Sequence, residues 1–386
     1  MANTRTRWQD LYAIQQDNTS ANLRAHVAED PTFTSADIGV QGDGTEGGVF
    51  GLPFTDHPNI PAPSSTIEDD QARGIAQVSL PERNTAQTAD PPEQTFPLLA
   101  DAYTASLYGY SFFQSGVTET TRDASGENDT NLLKCIPYTD ADPVVYLQLL
   151  RAMQPGSSSD DVDQMFKGAI CSNLNFSGET GSIFSLEATL KAAKWEQDDK
   201  SGLASNIDFV KDVLPFKYQD MTAAMYDPEA ETWVEMFIPS FNVDLENNVQ
   251  FSFYNDQAAA SAIMDRILAS GSVTMPWSQA DIGKNYLIKQ FLEGQPRKMV
   301  FYWGQSGDDG FDGEDYELPA TIDRLKNGTT NTKNYMSIMV NARISEYDVV
   351  GDNEHMVEAS FEGVKDENNN SIELRFAYDN TKLERL

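Results

Sequence analysis

Histidine and cysteine are nearly missing from this chain of 386 residues, which holds three of the first and two of the second. Cys135 and Cys171 are too few and too far apart for a disulfide framework or a cysteine-based metal pattern, so each is expected to lie inside a strand as a small hydrophobe. His26 and His57 fall in an irregular N-terminal stretch and His355 opens a strand at a turn, positions that give no oriented triad or acid-base pair. Basic residues are scarce too: 27 Lys and Arg stand against 60 Asp and Glu, a formal net charge of -33. Acidity spread over every segment repels polyphosphate, which argues against sequence-specific nucleic-acid binding. It fits equally a soluble surface in a saline medium and a wall past which DNA slides without sticking. No hydrophobic run approaches the length of a membrane span, and Met1 to Asp17 hold no apolar core of signal-peptide length. The chain is expected to be made and used in water, away from membranes.

Core material is plentiful, at 40% hydrophobic and 10% aromatic residues, so the acidity belongs to a globular chain and not to a disordered tail. The length suits two ordinary domains. A near-repeat supports two: Phe184-Ser-Leu-Glu-Ala-Thr-Leu-Lys191 and His355-Met-Val-Glu-Ala-Ser-Phe-Glu362 share one alternation of apolar and polar residues, the period of a strand with a dry and a wet face. Each reads as the second arm of a hairpin. The first follows Ile170, Leu174 and Phe176 and turns through Gly178 to Gly181; the second follows Met336 to Ile344 and turns near Gly351 to Asn353. An aromatic segment also runs into Gln-Ser-Gly twice, at Phe112 to Gly116 and at Tyr302 to Gly307. These spacings predict an extended N-terminal arm over 1–70, a first β domain over 71–200, a junction over 201–232 and a second β domain over 233–386.

Within the first unit, Ala76, Val78 and Leu80 alternate as a strand, and Pro97 opens a helix that stops at Gly109. Tyr110 to Gln114 reads as an aromatic strand, Gly116 to Asn131 as a polar loop and Leu132 to Tyr138 as a strand. Val144 to Leu150 fits either a strand or a short buried helix. In the second unit, Phe241 to Leu245 and Val249 to Phe253 read as hairpin arms about an Asn247-Asn248 turn. Asp256 caps a helix with Ala260, Ile263, Met264, Ile267 and Leu268 inward, ending at Gly271. A second helix is expected over 284–293 before Gly294, then a strand over Met299 to Trp303, an acidic loop over Gly304 to Glu317 and a last strand from Ile372 to Tyr378. The fold class is therefore mainly β, as two tandem antiparallel barrels or sandwiches with one or two packed helices each.

Catalytic motifs do not survive inspection. Gly42-Asp-Gly-Thr-Glu-Gly47 has the spacing of a dinucleotide loop, but Gly48, Gly51 and Pro53 follow it and no helix can start there. No phosphate-binding Gly-Lys-Ser/Thr loop and no nucleophile elbow occur. The run Asp308 to Asp315 is dense in hard oxygen ligands, with Asp308 and Asp312 the candidate metal residues. Counted from Asp308, however, the twelfth position of an EF-hand loop is Pro319 where a glutamate is required, so a solvated acidic loop is the preferred reading. The expectation is no enzyme and no cofactor.

The stretch from Phe166 to Leu190, a strand, a glycine turn and a returning amphipathic strand, resembles the tail tube (major tail) proteins of tailed bacterial and archaeal viruses, in the long form with two tube-type barrels. Pro239 to Val249 is similar to that family's opening strand and Asn-Asn turn. The resemblance covers residues from about Ala72 to the C-terminus, and the long N-terminal region and strong acidity depart from it. It implies a virion subunit, assembled in the host cytoplasm, whose barrels join edge to edge into rings that stack as a hollow tube for viral DNA. It implies no catalytic residues. Three two-barrel chains would close a six-barrel ring, with the tape-measure protein and DNA in the lumen and tail terminator and baseplate proteins at the ends. The loops Gly116 to Asn131 and Gly304 to Asn334 are expected to make contacts between stacked rings. Rival readings are another virion barrel, such as a terminator, baseplate or head-decoration subunit, or a secreted calcium-dependent β protein that binds or hydrolyses glycans.

Overall fold

The computed structural model describes residues 10–17, 23–28, 49–51, 65–68, 86–89, 92–114, 117–122, 129–135, 145–153, 163–198, 215–227, 232–252, 259, 261–276, 293–304, 334–350, 356–366 and 370–379. Its elements in chain order are β1 (Asp10–Asp17), α1 (Leu23–Ala28), β2 (Val49–Gly51), β3 (Ser65–Glu68), β4 (Ala86–Ala89), β5 (Glu93–Leu99), α2 (Ala102–Phe113), β6 (Val117–Arg122), β7 (Asp129–Cys135), β8 (Tyr146–Met153), β9 (Asp163–Glu179) and β10 (Ser185–Asp198). There follow β11 (Met221–Asp227), β12 (Thr232–Met236), β13 (Ser240–Ser252), β14 (Ser261–Pro276), β15 (Arg297–Gly304), β16 (Asn334–Val350), β17 (Met356–Gly363) and β18 (Ile372–Asp379). The protein is mainly antiparallel β, as its alternating segments predict.

Among the described residues, 16 strands join one sheet, and β3 with β4 makes a separate pair. Two runs of strands meet in β16. The first is β5-β10-β9-β13-β14-β17, completed by the last part of β16; the second is β12-β11-β15, the first part of β16, β18, β7 and β6. The register of β16 shifts between Ile344 and Glu346, where it leaves one run for the other. The runs face each other through aromatic side chains: Phe184 stacks on Trp303 with centroids 4.3 Å apart, and Phe241 on Phe301 at 5.0 Å. α2 packs on β9, β18 and β7, and β8, β1 and β2 extend the sheet from the first part of β9. Strands from the two halves of the sequence pair directly, β9 with β13 and β7 with β18, and both halves contribute to one hydrophobic core.

The two expected hairpins are present as β9–β10 and β16–β17, with β15 and β18 where alternation places them. Residues 146–153 resolve the open choice for that run in favour of a strand. Several expectations are corrected. The helix starts at Ala102, because Asp101 caps it by accepting the Thr104 amide at 2.8 Å, while Pro97 sits in β5, an edge strand that tolerates a missing N–H. It runs through Tyr110 to Phe113, so no aromatic strand exists there. Gly109 does not end it; a Cβ there would come within 3.2 Å of the Phe376 ring, so the glycine lets the helix approach β18. The stop is Gln114, at φ 55, whose side chain bonds the backbone of Val145 in both directions, at 2.7 and 2.8 Å.

The polar segment after Gly116 is a hairpin, β6 with β7, since Val117-Thr-Glu-Thr-Thr-Arg122 is rich in β-branched residues. The Asn247-Asn248 turn is not a turn: β13 continues through it with a register shift, and buried Asn247 donates to the Phe112 carbonyl at 3.1 Å. The helix expected over 256–271 is strand β14 from Ser261 onward. Two steps of β13, Asn247 to Val249, oppose three of β14, Ile267 to Met264, so β14 carries an extra residue; this bulge shifts the phase of its apolar positions, and a shifted period of two imitates a helical stripe. The N-terminal arm is not wholly extended: β1 pairs with β8 along its length, Ile14 is buried, and α1 lays Leu23 and Val27 against Gly168. The expected strand at Ala76 to Leu80, the body of the 284–293 helix and the acidic loop after Gly304 lie outside the described residues.

Gly271 marks the tightest crossing of β14. A Cβ there would sit 2.2 Å from the Asn242 carbonyl oxygen and 2.5 Å from the Phe361 ring. Gly271→Ala is expected to cost at least about 3 kcal/mol, at the upper end for overpacking because a backbone atom blocks the way. Urea unfolding followed by circular dichroism measures it, and a loss below about 1 kcal/mol would contradict the close approach.

Candidate functional site

The first strand run has one dry and one wet face. Phe176, Leu174, Val243, Leu245, Val273, Ala359 and Phe361 are buried inward, while the residues between them are half-buried or exposed. Pairing aligns the outward residues in rows across the strands. One row is Pro97, Glu187, Asn175, Asp244, Ser270, Glu362 and Arg343; the next is Leu99, Ser185, Ser177, Asn242, Ser272, Ser360 and Glu346. Glu246, Glu358 and Asp348 add charge in flanking rows. In these two rows the sole basic residue is Arg343, which lies 3.2 Å from Glu362.

Amide side chains stitch this face where β9 meets β13. Asn173 Nδ2 donates to Asp244 Oδ1 at 3.0 Å, and Asn175 Nδ2 donates to Asn242 Oδ1 at 2.9 Å. Towards the β5 edge, the Thr95 and Thr189 hydroxyls bond at 2.8 Å. The result is a mainly hydrophilic surface, interrupted by Leu99 and exposed Leu268, that meets anions with carboxylates and hydroxyls and whose cations, Arg343 and Lys191, lie beside Glu362 and Glu93.

Among the described residues, neither edge of this run has a further strand beside it. β5 pairs only with β10, and β16 beyond Ile344 only with β17, among the described residues. A sheet edge of this kind can accept another strand. Val349, on that part of β16, is 46% exposed. At the same end of the run, Ile183 is 59% and Phe237 57% exposed. The Thr180 amide donates to the Pro239 carbonyl at 2.8 Å, which brings the segments bearing Ile183 and Phe237 together.

The residues singled out by sequence fall elsewhere. Asp308, Asp312, His57 and His355 lie outside the described residues, and His26 lies on α1. Among the described residues no group of three or more His, Cys, Asp or Glu is placed to hold a metal. Cys135 and Cys171 are buried and unpaired, as expected, and burial pushes both thiols far up. The wet face was not singled out, although its signal is present: Asn173 and Asn175 alternate with Leu174 and Phe176, and Asn242 and Asp244 with Val243 and Leu245. No helix among the described residues is long and apolar enough to cross a membrane, which says nothing of strands.

No family model matches the chain, and no curated protein matches it. Among solved structures, it is similar to a mutant form of the Hcp1 protein from the E. coli EAEC 042 pathovar, at 13% identity over 40% of this chain and 96% of that one, with a TM-score of 0.21.

Beside the wet face, β9 and β10 hold a buried charge cluster. Lys167, 2% exposed, lies 2.9 Å from Glu196, which Lys194 also contacts. Burial opposes the charged form of Glu196, but hydrogen bonds from Lys194 and Lys167 outweigh it and hold the carboxyl below its ordinary value of 4.5. A depressed carboxyl stabilises the fold above its unfolded value and loses that contribution as pH falls through the folded one. Glu196→Gln is expected to cost roughly 2 kcal/mol at neutral pH, less than a fully buried pair because the glutamate is partly exposed. It should also flatten the loss of stability below pH 4.5, measured by urea unfolding across pH; an unchanged acid slope would contradict the assignment.

Proposed function

We propose that this protein is a structural subunit of a virus tail tube: copies join edge to edge into rings, the rings stack, and the wet face of the β5-to-β16 run lines the bore. The observation that carries this reading is the combination of an acidic, amide- and hydroxyl-rich sheet face with two open edges bounding the same run. β5 of one copy meeting the last part of β16 in the next is a heterologous contact, and such contacts close into a ring when the rotation per copy divides a full turn. The resemblance of Phe166 to Leu190 to tail tube proteins supports the same use.

Three copies close the ring if each contributes two barrels. The role is non-catalytic, in the virion tail after assembly in the host cytoplasm, with the tape-measure protein and then DNA inside the bore and terminator and baseplate proteins at the ends. An acidic wall repels the DNA backbone and keeps it moving, since its few cations, Arg343 and Lys191, already lie beside Glu362 and Glu93.

Electron microscopy of the purified, concentrated protein tests the assembly: hollow tubes or stacked rings are expected, and a monomer at every concentration would overturn the reading. Isolated rings that never stack would favour a tail terminator. Val349→Lys is expected to leave the circular dichroism spectrum unchanged and abolish rings, because a lysine on an open edge blocks strand addition. Replacing Glu187, Glu246 and Glu358 by Lys is expected to preserve tubes and slow DNA delivery from reconstituted particles. Delivery at the normal rate with that basic wall would remove the electrostatic part of the proposal.

A further inference from the structure

On the face of the second run opposite its aromatic core lies a polar pocket of about 290 Å³ between β15, β16 and β18. Half-buried Met339 forms part of its lining, and charged groups from three segments surround it: Lys298 of β15, Asp366 from the loop after β17, and Glu373 and Arg375 of β18. The acceptors are already engaged. Glu373 takes the Nε–H of Arg375, and Asp366 accepts the Asn370 amide at 2.9 Å and faces Lys298 at 3.8 Å. The donors are not. Arg375 Nη1 is buried with no hydrogen-bond partner, and Lys298 Nζ has only a long contact to Asp366 and reaches solvent.

A buried guanidinium nitrogen without an acceptor is costly, and the group that satisfies it best is an oxygen bearing negative charge. Lys298 supplies a second positive group at the same opening. We propose that this pocket is a carboxylate-binding site, in which one oxygen accepts from Arg375 Nη1 and the charge is shared with Lys298. The carboxylate can come from a small organic acid or from an Asp or Glu side chain of a second copy. On a chain of net charge -33, each neighbour presents many such side chains to a pocket whose unmet atoms are donors. The site is independent of the tube reading, because a monomer would bind a free carboxylate equally well.

Calorimetric titration of the full chain with succinate, under conditions where it is monomeric, tests the site. Saturable binding is expected, weakened about tenfold or more in Lys298→Gln and in Arg375→Lys, which keeps the charge but loses the planar fork. Asp366→Asn should tighten binding by removing a competing negative charge. No saturable succinate binding by a natively folded chain, or equal binding by wild type and Lys298→Gln, would overturn the proposal. Sedimentation velocity at matched ionic strength then identifies the source. If a neighbour's side chain is the occupant, succinate and Lys298→Gln both lower self-association; if a free acid is, sedimentation does not change while the calorimetric binding remains. Failure of tube formation with intact succinate binding would count against the assembly reading alone.

Discussion

The pairing of β9 with β13 is the constraint on which the rest depends, because it joins the front and rear of the chain into one sheet. Its two faces are held by different physics. Inward, Phe176, Phe184, Phe241 and Trp303 stack into a continuous aromatic layer that excludes water and fixes the separation of the two strand runs. Outward, Asn173, Asn175, Asn242 and Asp244 bond across the same joint. A one-residue slip would put aromatics in water and amides in the core, so the alternation fixes the register far more strongly than backbone hydrogen bonds alone.

Much of this architecture was legible from the sequence where one face is wet and the other dry. The hairpins β9–β10 and β16–β17 stand out because each strand alternates cleanly. The failures share a cause. Where a strand is bulged, as β14 is opposite Asn248, the period of two is broken and Ile263, Met264, Ile267 and Leu268 fall at helical spacing. Where a glycine serves packing, as Gly109 does against Phe376, it reads as a helix stop. Asn247 reads as a turn residue until its buried bond to the Phe112 carbonyl is known. The last two depend on a partner more than a hundred positions away and the bulge on the register with a neighbouring strand, and local periodicity carries no information about either.

The candidate surface was half-legible. Acidity and open strand edges were anticipated, but which carboxylates share a face is a property of register. Glu187, Asp244 and Glu362 are far apart in sequence and occupy one row only because β10, β9, β13, β14 and β17 pair as they do. The repeat between Phe184 to Lys191 and His355 to Glu362 gains a physical reading here. Glu187 in the first copy and Glu358 in the second both project from the wet face, while Ala188 and Ala359 are buried beneath. The shared pattern is what an amphipathic strand of this run requires.

Open edges and strong acidity constrain each other. An uncharged sheet of this length with two free edges would add strands without limit, the route to aggregation. Carboxylates across the face repel any second sheet that tries to stack on it, while backbone groups at the edges remain able to pair, because hydrogen bonds act at contact and the charge of the face is screened over roughly a nanometre at physiological salt. In the assembly proposed above, association would thereby be steered sideways and away from face-to-face stacking. In the tube proposed above, the charge that would keep DNA from adhering to the bore would also keep subunits in the one arrangement that makes a bore, and raising ionic strength would act on both at once.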